Sequence, residues 1–239
     1  MRVRRSRPWR PWAPRTVSVD APDLGRADGL AWARFLPDSA PLGSIVILHG
    51  AGSAKESHYD FARNALRAGF AAVAFDARGH GESEGALDDR AVEDVRAMAG
   101  LLPDAPLALR GSSMGGYLAI VCADAADADA VIAICPAPAE GMLRALRNQR
   151  YDFRADAERL EAFIQAHDDM DAARELRAKL LLMHAEGDES VPVEHSRELH
   201  AAVPGSKIIA VPGGHHRSIQ HDGELQGEAL RWLAKALAR

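Results

Sequence analysis

The sequence predicts an α/β fold: a mainly parallel, doubly wound sheet with helices on both faces and a small helical cap inserted late in the chain. Three observations carry this. From Ala31 onward, short apolar runs alternate with longer amphipathic ones, and strand–helix alternation of this kind builds parallel sheets covered on both faces. The short runs are branched and continuously apolar, as buried strands should be. One stretch, 136–178, has no strand signal at all.

Taken in order, 44–49 (SIVILH) is predicted as the first buried strand. Residues 58–68 follow with helical spacing through Phe61, Ala65 and Leu66, and Gly69 ends them. A second strand, 71–76 (AAVAFD), leads into a loop containing Gly79, Gly81 and Gly85. Residues 90–102 place Val92, Val95, Met98 and Leu102 on one helical face. A strand at 107–110, a helix at 114–123 and a strand at 130–135 come next. Beyond the insertion, strands at 179–185 and 206–211 flank a helix at 193–202, and an amphipathic helix at 224–237 closes the chain. The insertion is polar, charged and helical in pattern, with Tyr151, Phe153, Leu160, Phe163 and Ile164 as its apolar points. It reads as a cap over the strand ends; the alternative is a pair of ordinary crossover helices.

Composition bounds the function. The chain has 239 residues with 47% hydrophobic and 26% charged residues, within the range of an ordinary globular domain. Residues 17–239 are expected to form that domain. A formal net charge of −5 gives no reason to expect nucleic acid or an anionic membrane as partner. Residues 1–15 (MRVRRSRPWRPWAPR) are basic and broken by prolines. No apolar run follows Arg4 and Arg5, so an export signal is not expected, and 1–16 reads as a disordered tail. No segment approaches the roughly 18 apolar residues of a membrane span. Cys122 and Cys135 are too few for a disulfide framework and read as small buried apolar residues. A reducing, cytoplasmic location is expected. Oligomeric state leaves no mark in the sequence.

The chemical signature is GSSMG at 111–115, a G-x-S-x-G pattern centred on Ser113. Such a serine sits on a sharp strand-to-helix turn, and glycines two residues away on either side leave room for it. A second match, GESEG at 81–85, is centred on Ser83. Ser113 follows a predicted strand and opens an apolar helix. Ser83 lies in a loop between Glu82 and Glu84, whose charges oppose an alkoxide or oxyanion. Ser113 is therefore the expected nucleophile. A serine hydroxyl needs a base, and the base an orienting acid. Asp188 follows the strand at 179–185, and His215 and His216 follow the strand at 206–211, giving the order Ser, Asp, His. His221, with His215 or His216, invites a metal reading, but no cysteine or close carboxylate completes a set, and no metal is expected.

These stretches together resemble the α/β-hydrolase superfamily, over nearly all of the chain from about Ala31. The matching motifs are HGAG at 49–52, DARGHGES at 76–83, GSSMGG at 111–116, GDESVP at 187–192 and PGGHH at 212–216. The chain is most similar to small serine esterases, serine aminopeptidase-like hydrolases and dienelactone hydrolase-like proteins. The resemblance implies a doubly wound α/β-hydrolase fold and assigns residues by position. The acid of G-D-x-x-V-P is Asp188, with Glu186 and Glu189 off the motif position. The histidine of P-G-x-x-H is His216, and His215 stands where relatives often carry Gly or Asp. The backbone N–H groups of Ala51 and Met114 would bind the oxyanion. Asp76, His80 and His49 would be structural. Ser112 stands where many relatives carry histidine.

The implied activity is acyl transfer to water with no cofactor, on a small-molecule acyl substrate, first of all a carboxylic ester. Peptidase or amidase, thioesterase and carbon–carbon hydrolase chemistries stay open on this fold, as does a binding protein built on an inactive hydrolase. A dehalogenase of the usual kind is disfavoured, because those carry aspartate at the elbow where this chain has Ser113. Tyr151, Phe153 and Phe163 are the candidate pocket residues of the cap.

Overall fold

The computed structural model describes residues 20–238. The basic segment 1–16 lies outside the described residues. Eight strands form one sheet in the order β1-β2-β4-β3-β5-β6-β7-β8. They span Asp23–Ala27, Leu30–Phe35, Ser44–Leu48, Ala71–Phe75, Leu107–Ser112, Ala130–Ile134, Lys179–Ala185 and Lys207–Val211. All neighbours from β4 to β8 pair in parallel. Every residue of β3, β4 and β6 is buried, because each strand has packed helices on both sides. That double burial is why they appear in the sequence as unbroken apolar runs.

The sequence reading places no strand before Ser44, and here the structure corrects it. β1 and β2 form an antiparallel hairpin that joins the sheet against β4. Its turn is Asp28–Gly29, with φ of 51° and 79°. An Asp-Gly pair with both residues at positive φ is the turn that matches the twist of a two-residue hairpin.

The helices are α1 (Tyr59–Arg67), α2 (Ala91–Ala99), α3 (Met114–Val121), α4 (Ala139–Arg147), α5 (Ala157–Ala166), α6 (Asp169–Glu175), α7 (Val193–Ala202) and α8 (Gly223–Ala236). Two apolar cores result, one on each face of the sheet. Phe61 and Ala65 of α1 and Leu230 and Leu233 of α8 pack on one face with Ile45, Ile47 and Ile132. Val95 and Met98 of α2, Tyr117 and Ile120 of α3 and Leu199 of α7 pack on the other with Val46, Leu48 and Val131. Helix α3 is apolar all round, and seven of its residues are buried, as a helix enclosed on every side should be.

The strand order reverses at β3. From β3 the chain moves to β4 on one side and later to β5 on the other. The carboxyl ends of β3 and β5 thus open a crevice, where open α/β sheets bind ligands. Ser113 and Ala51 stand at that crevice.

The segment between β6 and β7 holds α4, α5 and α6. Helices α4 and α5 pack on each other, while α6 packs on α3 and α7. Asp169 of α6 stands 2.8 Å from His195 of α7 through Oδ2 and Nε2. Tyr117 of α3 donates its hydroxyl to the His167 carbonyl at 2.7 Å. The end of the insertion is therefore bound to the sheet's own helices, and its first part contacts the loop after β4, where Arg154 exchanges backbone hydrogen bonds with Gly79 and Leu87.

Candidate active site

Ser113 lies between the last residue of β5 and the first of α3, at φ 55° and ψ −119°. A non-glycine residue there stores about 1–3 kcal/mol of strain. The surroundings hold it in place. Its N–H donates to the Ile134 carbonyl at 2.9 Å, and its carbonyl accepts from Tyr117 and Ala137 at 3.0 and 3.1 Å. The flanking glycines are a steric requirement. A Cβ at Gly111 would overlap the Gly115 carbonyl, and one at Gly115 would overlap the Leu48 carbonyl.

Ser83 is placed quite differently. It is 2% exposed. Its Oγ donates to the Asp76 carbonyl at 2.6 Å and accepts from the Ala31 N–H at 2.8 Å. It fastens the loop after β4 to β2 and has no histidine beside it among these bonds.

Asp188 and His216 come together from the loops after β7 and β8. Nδ1 of His216 is 2.7 Å from Oδ2 of Asp188. Oδ1 of Asp188 accepts from the N–H groups of Ser190 and Val191 at 2.8 and 3.0 Å. Burial alone would raise the pKa of this carboxyl. The Val191 N–H, the His216 ring and the Ser190 N–H outweigh burial and hold it below the ordinary value. The carboxylate is thus charged at neutral pH and accepts from Nδ1–H, which leaves Nε2 of His216 free to take a proton. His215 is exposed and its Nδ1 accepts from the Arg217 N–H at 3.3 Å. His221 turns to Asp60, Nδ1 to Oδ2 at 3.0 Å, so the structure does not group it with His215 or His216.

Two neighbours of Asp188 were not legible as site residues. His184, within the apolar run of β7, is fully buried and lies 3.4 Å from Asp188 Oδ2. It links β7 to Ser196 of α7 through Nδ1 and to the Val191 carbonyl through Nε2. Cys135 brings its Sγ within 4.8 Å of the Asp188 and His216 ligand atoms. Burial pushes its thiol up to about 12, so it stays protonated and is poorly suited to holding a metal.

Ala51 lines the same cavity as Ser113, and Met114 follows Ser113 directly in the chain. Met114 is the first residue of α3 and so has no helical acceptor. Neither N–H donates to any acceptor among the described residues. The loop carrying Ala51 is fixed by His49. The Ala77 N–H donates to Nε2 of His49 at 2.9 Å, so Nδ1 carries the hydrogen and donates to the Gly50 carbonyl at 2.8 Å. Asp76 is fully buried, pairs with Lys55 at 2.9 Å and accepts the Lys55 and Glu82 N–H groups. His80 stacks on Phe153 with centroids 4.3 Å apart.

Two small cavities meet at Ala51. One, about 70 Å³, is lined by Gly50, Ser53, Ser113, His216, Arg217 and Gln220 among others. The second, also about 70 Å³, is lined mainly by apolar residues, including Met114, Met142, Leu146, Tyr151, Phe153 and Ile164. Tyr151 and Phe153 thus line a space beside Ala51. Phe163 does not. It is 3% exposed and stacks on His167 at 4.3 Å, which corrects its reading as a pocket residue. A larger cavity, about 400 Å³, lies at the opposite end of the sheet around Asp129, Arg177 and Lys179. It touches none of the site residues.

Known proteins resemble the chain in sequence over its first part and in fold over most of its length. A family model described as serine aminopeptidase, S33, matches residues 39–148, which include the Ser113 turn and stop before Asp188. The human monoglyceride lipase is 34% identical over 115 residues, covering 44% of this chain and 38% of that protein. The uncharacterized protein YfhR of Escherichia coli O157:H7 is 25% identical over 244 residues, 95% of this chain and 83% of its own. A monoacylglycerol lipase structure from Paleococcus ferrophilus superposes with a TM-score of 0.67 at 22% identity, covering 87% of this chain and 98% of that one. Fold and relatives point one way: the chain has the α/β-hydrolase fold and is similar to hydrolases that carry it. No helix among the described residues is long and apolar enough to cross a membrane.

Proposed function

We propose that the chain is a serine hydrolase that cleaves a small carboxylic ester through an acyl-enzyme on Ser113. The observation that carries this is the 2.7 Å contact between His216 and the charged Asp188, with His216 and Ser113 lining one cavity. In the proposed reaction Ser113 Oγ attacks the ester carbonyl as its proton passes to Nε2 of His216. Asp188 stabilises the imidazolium, and the free N–H groups of Ala51 and Met114 hold the oxyanion. The intermediate collapses as His216 returns the proton to the departing alcohol. Water, deprotonated by His216, then releases the acid and restores Ser113.

The cap cavity would hold the acyl chain, and its small volume favours a short one. An aminopeptidase reading, which the family description raises, needs an acidic group for the substrate's free amine. None of the residues lining either cavity is Asp or Glu. The buried, unpaired Cys122 and Cys135 suit a reducing compartment, and the cytoplasm is the proposed location. Partners beyond the small acyl substrate, nucleic acid and membrane included, form no part of the proposal. A serine-reactive fluorophosphonate should label the wild type at Ser113, and 4-nitrophenyl butyrate should be hydrolysed. Labelling that persists in Ser113→Ala, or an ester panel left intact beside a cleaved aminoacyl amide, would overturn the reading.

A further inference from the structure

The two sides of Ser113 differ in chemistry. The cap side is mainly apolar, with Arg150 as its one charged lining residue, whereas the opposite side presents Ser53, Gln220 and Arg217 next to His216. Arg217 directly follows His216 and is exposed. Its guanidinium makes no ion pair among the described residues, and its one hydrogen bond runs from its backbone N–H to His215. Some surface arginines are matched, such as Arg197 with Glu186 and Glu194, and Arg177 with Asp124; Arg217 is an unmatched one that lines the cavity holding Ser113 and His216. The undescribed residues 1–19 contain no Asp or Glu that could serve.

Two acids of the neighbouring elements contact other groups. Asp188 is taken by His216 and the backbone of its own loop. Asp60 accepts from His221 at 3.0 Å and from Gln226 at 2.8 Å. A second cation lies behind this wall. Arg110 of β5, 1% exposed, has no carboxylate partner; it reaches His58 Nδ1 at 2.8 Å and the Gln220 carbonyl at 3.3 Å. Burial first, then Arg110, His49, His221 and Arg217, push the His58 pKa well below its ordinary value. Arg217 therefore brings to the cavity beside His216 a positive charge that no carboxylate among the described residues contacts directly, while Asp60 acts on Arg110 only through space.

His216 must protonate the departing oxygen, so the leaving group lies on its side of Ser113, next to Arg217. We propose that Arg217 binds a carboxylate on the alcohol half of the substrate, making the preferred substrates short-chain acyl esters of hydroxy acids. This rests on the reading of Ser113 as nucleophile. Hydrolysis then gives a short carboxylic acid and a free hydroxy acid, with water the only co-reactant. An arginine–carboxylate contact is strong when dry but weakened by exposure, so the expected gain is about tenfold in kcat/KM.

The test uses two esters of nearly equal shape, O-butyrylglycolate and its neutral analogue O-butyrylglycolamide. Wild type is expected to prefer the charged ester about tenfold, mainly through KM, with the preference shrinking in 0.5 M salt because exposed charges are screened. Arg217→Gln should abolish the preference by lowering kcat/KM for the charged ester about tenfold more than for the neutral one, and Arg217→Lys should restore part of it. Equal treatment of both esters by wild type, or an equal loss on both in Arg217→Gln, would overturn the proposal. Calorimetric binding of both esters to Ser113→Ala reads the same contact without turnover. Tighter binding of the charged ester there, with no turnover by wild type, would sink the hydrolase reading while leaving the anion site standing.

Discussion

His216 and Asp188, 28 residues apart in the chain, meet through Nδ1 and Oδ2 at 2.7 Å at the ends of β8 and β7. The contact determines which nitrogen of His216 is free. Asparagine at 188 can keep the Ser190 and Val191 bonds on its oxygen, but its amide then points donors at Nδ1. That favours the opposite tautomer, with hydrogen on Nε2, which cannot accept from Ser113. Asp188→Asn should therefore lower kcat by about 10³–10⁴ with little change in Tm. His216→Ala should fall in the same range and His215→Ala within about threefold of wild type. Steady-state kinetics on 4-nitrophenyl butyrate decide it; a larger loss for His215→Ala than for His216→Ala would reverse the assignment.

The two G-x-S-x-G serines make opposite predictions. Ser113→Ala should abolish turnover in a folded protein. Ser83→Ala should keep turnover within about twofold but lose roughly 1–3 kcal/mol of stability, since the buried Ala31 N–H loses its acceptor. Chemical denaturation beside an ester assay separates them. Ser113→Gly should in addition be more stable than Ser113→Ala, because φ of 55° suits glycine. Equal stability for those two variants would mean that the turn stores no strain.

The central strands could be read from sequence because burial on both faces leaves them apolar throughout. The Ser113 turn was legible because two glycines and a strand–helix boundary coincide there. The edge hairpin was not, since β1 is largely exposed and β2 alternates; the Asp28–Gly29 pair was its available signal. His184 was hidden inside an apolar strand run. Among the insertion's aromatics, helical spacing marks apolar points without saying which space each one faces, and that separates Phe163 from Tyr151 and Phe153.

Those aromatics give a kinetic prediction. Tyr151 and Phe153, with ring centroids 5.1 Å apart, line the apolar cavity. Tyr151→Ala should raise kcat/KM for octanoyl relative to acetyl esters, because removing the ring enlarges a small space. Phe163→Ala should instead lower stability by about 3–5 kcal/mol and leave the chain-length ratio unchanged. An unaltered acyl profile in Tyr151→Ala, measured from acetyl to octanoyl, would show that the cavity does not hold the acyl chain.

The histidine that fixes the Gly50–Ala51 loop should also make stability depend on pH. His49 is 2% exposed, and its pKa falls from 6.5 to about 4, first because burial disfavours the charged ring, with His80 adding to the effect. Between these values the unfolded chain binds a proton at this position that the folded protein refuses. Stability is therefore full above pH 6.5 and is lost as pH falls toward 4. From pH 6 to 5 the loss from this one group is about 1 kcal/mol per pH unit. His58, His80 and His184 are lowered too and act with the same sign. The depressed carboxyls of Asp76 and Asp188 add their own loss only below that window, as they protonate. His49→Gln removes the titration and offers its amide oxygen as an acceptor for the Ala77 N–H. Urea unfolding at half-unit steps from pH 6.5 to 5 should then show a slope shallower than wild type by about 1 kcal/mol per pH unit. Parallel slopes for the two proteins would mean that His49 accepts a proton without unfolding the loop, and the neutral ring would no longer explain how Gly50 and Ala51 are held.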